Sequence, residues 1–141
     1  MSVVTDIADA MVDALNGSTF SETFEAVRSF RPRYAMKDLD TLRVTVVPKS
    51  RTQEQLTRTS NREEIEIDVG IHKQVGADES AIADMLDLAD EIIDFFDRMV
   101  LDDAKAIGVT NDPVYDPAKI NEDNVFFTVL TFRWFLARTA P

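Results

Sequence analysis

The stretch Glu64-Ile65-Glu66-Ile67-Asp68-Val69-Gly70-Ile71 alternates polar and apolar residues without a break. Successive side chains of a strand point to opposite faces, so Ile65, Ile67, Val69 and Ile71 share one buried face, and Glu64, Glu66 and Asp68 share the other. A slip of one residue would turn the whole apolar set to water, so the register has one solution. A half-buried strand of this kind belongs to an antiparallel sheet covered on one side.

Working back from this strand, residues 48–62, PKSRTQEQLTRTSNR, have no apolar period and hold Lys49, Arg51, Arg58 and Arg62 against the single acid Glu54. They read as an extended, mobile, basic hairpin loop. Before it, Leu42-Arg43-Val44-Thr45-Val46-Val47 is a second strand closed by Pro48, and Phe20, Phe24, Ala26 and Phe30 trace a first strand up to Pro32. The chain opens with a helix that places Val4, Ile7, Ala8, Met11 and Leu15 on one stripe and stops at Asn16-Gly17.

Working forward, a long helix starts near Asp78, whose carboxylate caps it. At 100° per residue, Ile82, Met85, Leu86, Ala89, Ile93, Phe96 and Val100 fall on one narrow stripe, and Leu88, Ile92, Phe95 and Met99 form a flank beside it. Asp84, Asp87, Asp90, Glu91, Asp94 and Asp97 fill the opposite side. Residues 101–124 lack a sustained period and contain two Asp-Pro steps, so they read as irregular loop. The last element, 125–137, is apolar on both faces: Phe126, Leu130, Phe132, Trp134 and Leu136 on one, Val125, Phe127, Val129 and Phe135 on the other. Such a strand is either central in a sheet covered on both sides or covered by another subunit.

The element order is thus α-β-β-β-α-(loop)-β, an α+β fold with an antiparallel or mixed sheet of about four or five strands packed by two helices. With 141 residues and no linker or repeat, 1–141 reads as a single domain.

Composition narrows the chemistry. There is no cysteine and one histidine, which leaves no thiol nucleophile, thiolate metal site or imidazole cluster. His72 at a strand end has no serine or second histidine beside it to form a relay. Glu64, Glu66 and Asp68 could gather a hard cation, but alternation alone produces them as a solvent face. The oxygen-rich stretch from Asn111 to Asp123 does not match a calcium loop, and four scattered glycines make no phosphate cradle. We therefore expect no catalytic, metal-binding or cofactor-binding residues and no enzymatic activity. No apolar run is long enough to span a bilayer and no leader pattern opens the chain, so a cytoplasmic product without membrane contact is expected.

Net charge is -11, distributed unevenly: residues 1–62 hold nine Lys/Arg against eight Asp/Glu, and residues 63–141 hold six against eighteen. This argues against wrapping on nucleic acid and predicts an acidic face, with the basic loop left to meet a partner.

Several segments together resemble a known family. They are Phe24-x-Ala26-x-Arg28, Arg31-Pro32-Arg33-Tyr34, Leu39-x-x-Leu42-x-Val44-x-Val46-Val47-Pro48-x-x-Arg51, Ile65-x-Ile67-x-Val69-Gly70-Ile71-x-Lys73 and Val125-Phe126-Phe127-x-x-Leu130-x-Phe132. Over residues 20–136 they resemble head-to-tail virion proteins of long-tailed phages, and by element order the tail terminator, or tail completion, proteins. The resemblance implies a homo-oligomeric ring, typically a hexamer, that caps the tail tube and joins it to the head. It also implies a tail-tube protein and head-side connector proteins as partners, DNA passing through without specific binding, and residence in the virion after assembly in the host cytoplasm. A head-tail connector or stopper, another minor tail protein, or an unrelated soluble protein-binding domain shares the same outline.

A ring needs two unlike patches on each subunit. The expected interface is Leu88, Ile92, Phe95 and Met99 on one side and Phe127, Val129 and Phe135 on the other. The expected partner-docking loop is Lys49, Arg51, Arg58 and Arg62, and the expected channel-facing acids are Glu64, Glu66 and Asp68.

Overall fold

The computed structural model describes residues 2–30, 41–55, 57–75, 79–101, 103–111, 114, 115, 117 and 124–139. The expected cap Asp78, the segments Arg31 to Tyr34 and Leu39, and most of the stretch 112–123 lie outside them.

Among the described residues, two helices and six strands follow one another in the order α1 (Val3–Asn16), β1 (Ala26–Arg28), β2 (Arg43–Gln55), β3 (Ser60–Gln74), α2 (Glu79–Phe96), β4 (Val100–Leu101), β5 (Ala104–Thr110) and β6 (Val125–Thr139). The fold is α+β, as the sequence predicts, with a mixed sheet in the spatial order β1-β2-β3-β6-β5-β4. Among the described strands β1 and β2 run parallel, and the other neighbouring pairs are antiparallel. The centre is the β3–β6 ladder, which runs from Ser60↔Thr139 to Gln74↔Val125.

The helices cover one face of the sheet, here called the inner face. Ile65, Ile67, Val69 and Ile71 point inward from β3, Val44 and Val46 from β2, and Phe126, Leu130, Phe132, Trp134 and Leu136 from β6; all are buried. They form one cluster with Ile7, Ala8, Met11 and Leu15 of α1 and Met85, Leu88, Ala89, Ile92 and Phe96 of α2. Phe96 meets Phe132 and Trp134 edge-on, at centroid separations of 5.1 and 6.0 Å. α1 packs against β1 and β2 and also touches β4 at the opposite edge, so the sheet curls around its helical layer.

Local signals set the helix ends. The Ser2 hydroxyl accepts a hydrogen bond from the Val4 N–H at 3.2 Å, satisfying one of the donors left over in the first turn of α1. At the other end Asn16 turns its amide onto β1. Its Nδ2 donates to the Ala26 carbonyl at 3.0 Å, and its Oδ1 accepts from the Ala26 N–H at 2.7 Å. One side chain thereby does for Ala26 what a neighbouring strand would do.

Four expectations need correction. The first strand is only Ala26–Arg28, because Phe20 and Phe24 pack on each other at 5.5 Å and Phe20 meets Phe95 of α2 at 5.3 Å instead of lying in the sheet. Pro48 does not close β2. It sits at a register shift between Pro48 and Ser50, past the cover of β1, where an edge strand tolerates the missing N–H. Residues 48–62 are consequently not a loop but mostly the paired ends of β2 and β3. Finally, the stretch expected to be irregular contains β4 and β5.

Candidate functional site

Parity along β6 separates two surfaces. Its even residues enter the core, while Phe127, Val129, Thr131, Arg133 and Phe135 stand on the outward face, turned away from the helices. Phe127, Val129 and Phe135 are each only half-buried and take no part in the core cluster. The acids of β3 share this face. Glu64 lies opposite Phe135, Glu66 opposite Arg133, Asp68 opposite Thr131, Gly70 opposite Val129 and His72 opposite Phe127. Two groups expected to serve different roles, the strand half of the interface and the channel acids, are therefore interleaved on one sheet face.

Each of those acids is engaged. Arg62 Nη2 stands 3.8 Å from Glu64 Oε1, Lys49 Nζ stands 3.9 Å from Glu66 Oε2, and the Thr131 hydroxyl donates to Asp68 Oδ1 at 2.6 Å. Arg62 also lies over the Phe135 ring, 5.1 Å from its centroid. The face is a mixed apolar and ion-paired surface rather than a bare acidic one. Exposed pairs of this geometry contribute only about 0–1 kcal/mol to folding, so their value lies more in patterning the surface.

The helix half of the expected interface is corrected by burial. Leu88 and Ile92 are both 0% exposed inside the protomer and cannot meet another subunit. Phe95 is partly buried against Phe20 and Phe96, and Met99 also packs on the core. The stripe and flank read from the sequence are one broad apolar face whose centre, Met85, Leu88, Ala89, Ile92 and Phe96, lies between them. A curled sheet wraps enough surface around α2 to cover both.

The expected docking residues lie on an arm built from the paired ends of β2, β3 and β6. From Lys49 to Gln55 and from Thr57 to Thr59 every described residue is exposed. Lys49 and Arg62 are held by the outward-face acids, whereas Arg51 and Arg58 have no ion pair among the described residues. The arm is stiffened at its end, where the Gln55 side-chain amide donates to the Thr57 carbonyl at 3.0 Å and Thr57 and Ser60 share a 2.7 Å hydroxyl contact.

Sequence reasoning missed three parts of this surface. His72 is stacked on Phe127, its ring centroid 4.3 Å away, and burial lowers its pKa from 6.5 to about 4. Arg133 lays its guanidinium over Gly108, in the space a side chain at that position would take. Val27 and Phe30 are 51% and 65% exposed beside the β1 edge, with Arg28 over the Phe30 ring at 4.6 Å and bound to Asp9 at 2.6 Å. Parity counted from Ile65 would have found the first; the Arg133–Gly108 and Arg28–Asp9 contacts depend on neighbours distant in the chain.

Surface clefts of about 250 Å³ beside Phe20 and about 200 Å³ between Thr52, Glu54, Arg62 and Glu64 are smaller than the ~300 Å³ at which small-molecule sites begin. Among the described residues no group of three or more His, Asp or Glu side chains converges on a metal-sized site, and no helix is long and apolar enough to cross a membrane. No protein-family model and no curated protein matches the chain.

Proposed function

We propose that this protein is a non-enzymatic virion structural protein of a long-tailed phage, a tail terminator that forms a homo-oligomeric ring, caps the tail tube and joins it to the head. The observation that carries the reading is the outward sheet face. Phe127, Val129 and Phe135 stand there half-buried, apart from the core and interleaved with charge pairs, a composition suited to contact with another protein. The segments that resemble the family around Val44, Ile65 and Phe126 are the long neighbouring strands β2, β3 and β6, so the resemblance covers the elements that form this face. A net charge of -11 suits a particle through which DNA moves without adhering.

The test is to add the purified protein to tail tubes of the phage that carries its gene and to image them. Added protein is expected at one end of each tube, halting growth at a uniform length and allowing heads to attach. Tubes that keep lengthening, bare at both ends, in excess protein refute the reading. Attachment to isolated head-side connectors but not to tubes assigns the stopper role instead.

A further inference from the structure

The arm and the outward side of α2 carry opposite, unsatisfied charge. On the arm, Arg51 and Arg58 are exposed and lack a carboxylate within ion-pair distance among the described residues, in contrast to Lys49 and Arg62. On α2, Asp84, Asp87, Asp90 and Asp94 are exposed, and no Lys or Arg among the described residues pairs with them. Glu91, on the same side, is already occupied by the Ser21 N–H and hydroxyl.

The dimensions agree. At ~3.3 Å per residue, Arg51 stands roughly 15–20 Å from the arm's end near Arg58. At 1.5 Å per residue, Asp84 and Asp94 are about 15 Å apart along the helix. The arm is also a defined shape, because β2 is paired along its length to β3, and β3 to β6.

We propose that the arm of one copy docks, through Arg51 and Arg58, on the Asp84, Asp87, Asp90 and Asp94 side of α2 in a second copy. The contact joins unlike surfaces head to tail, which is the arrangement that closes a ring. It rests on the ring reading above and supplies it with a second interface, independent of the outward sheet face. Because both partners are exposed, the contact acts mainly through electrostatic complementarity and weakens with salt.

Charge exchange tests it. Mass by light scattering is measured at low and high salt for the wild type, for Arg51→Glu with Arg58→Glu, for Asp87→Lys with Asp94→Lys, and for all four changes combined. Each double reversal is expected to weaken self-association roughly tenfold or more at low salt, and the combination to restore it. As a second measurement, Arg58→Cys with Asp90→Cys introduces thiols into a cysteine-free chain, and mild oxidation is expected to give a ladder of covalent multimers that neither single change gives. Wild-type assemblies that survive both reversals and give no ladder overturn the arm contact while leaving the ring reading in place. A wild type that stays monomeric at low salt and high concentration overturns it too, and tube capping then decides the ring reading separately. Reversal of Arg51 and Arg58 that abolishes retention on DNA or on tail tubes, with self-association unchanged, also overturns it.

Discussion

His72 lies flat on Phe127, with ring planes 14° from parallel, and burial lowers its pKa from 6.5 to about 4. At neutral pH the native ring is uncharged and the unfolded one mostly so, and its pH dependence there is small. As the pH falls below 6.5 the unfolded chain binds a proton that the native ring still refuses, and stability declines until the native ring also protonates near pH 4. Between pH 7 and pH 5 this one group should remove about 2 kcal/mol. Chemical denaturation at the two pH values should give a drop larger by that amount in the wild type than in His72→Gln; equal drops would show that the imidazole is not desolvated. Gly70 belongs to the same small cluster, since an added Cβ would stand 3.1 Å from both His72 Cε1 and Thr45 Oγ1. The alternation of β3 announced that His72 shares the outward parity of Glu64, but the Phe127 ring that shields it comes from a strand more than fifty residues later in the chain.

At the scale of elements, α2 shows how a pattern can be read correctly and its use misjudged. Every apolar position of the helix was legible, yet Leu88 and Ile92 are core, and Phe95 is bracketed by Phe20 and Phe96 at 5.3 and 5.0 Å. Phe95→Asp should therefore unfold or weaken the protomer, by about 2 kcal/mol or more, through lost packing and a carboxylate pushed among rings. Thermal or chemical denaturation measures this; an unchanged midpoint would show that Phe95 is not part of the core. β5 illustrates the opposite failure. Ala104 and Ala106 face inward with Ala106 opposite Trp134, but a register shift between Ala106 and Gly108 moves the next inward position to Val109. That extra residue breaks the period of two on which a strand is recognised. In the hairpin the difficulty was composition: residues 49–55 are polar on both faces and form the exposed outer strand past the last pairing with β1, so no alternation marks them as a strand.

For the whole molecule, the sheet separates an inner face sealed by α1 and α2 from an outward face of mixed character, with the arm carrying β2 along β3 past the end of β1. On the proposed reading, Phe127→Asp should leave the fold intact, since Phe127 is outside the core cluster, while reducing the oligomer to smaller species. The comparison with Phe95→Asp is the useful one: the first variant should stay folded, with its midpoint lowered far less, and lose mass in light scattering, while the second should lose the midpoint itself. Full-size assemblies of Phe127→Asp would remove the outward face from the contact. The two interfaces have different physical characters, one apolar and one ionic, so raising salt should affect them unequally.

The sequence by itself determined the class of fold, the opening helix with its end at Asn16, the inner face of β3, the two-faced character of β6 and the acidic side of α2. Each of these follows from a local period, because a helix or strand repeats its buried positions at a spacing that adjacent residues already display. Only the tertiary structure decided that the flank of α2 is interior, that β4 and β5 complete the sheet, and that the acids of β3 are matched by Lys49, Arg62 and Thr131. Those outcomes depend on how far the sheet curls and which strands become neighbours. Such facts arise from contacts between distant segments and leave no period in any one of them.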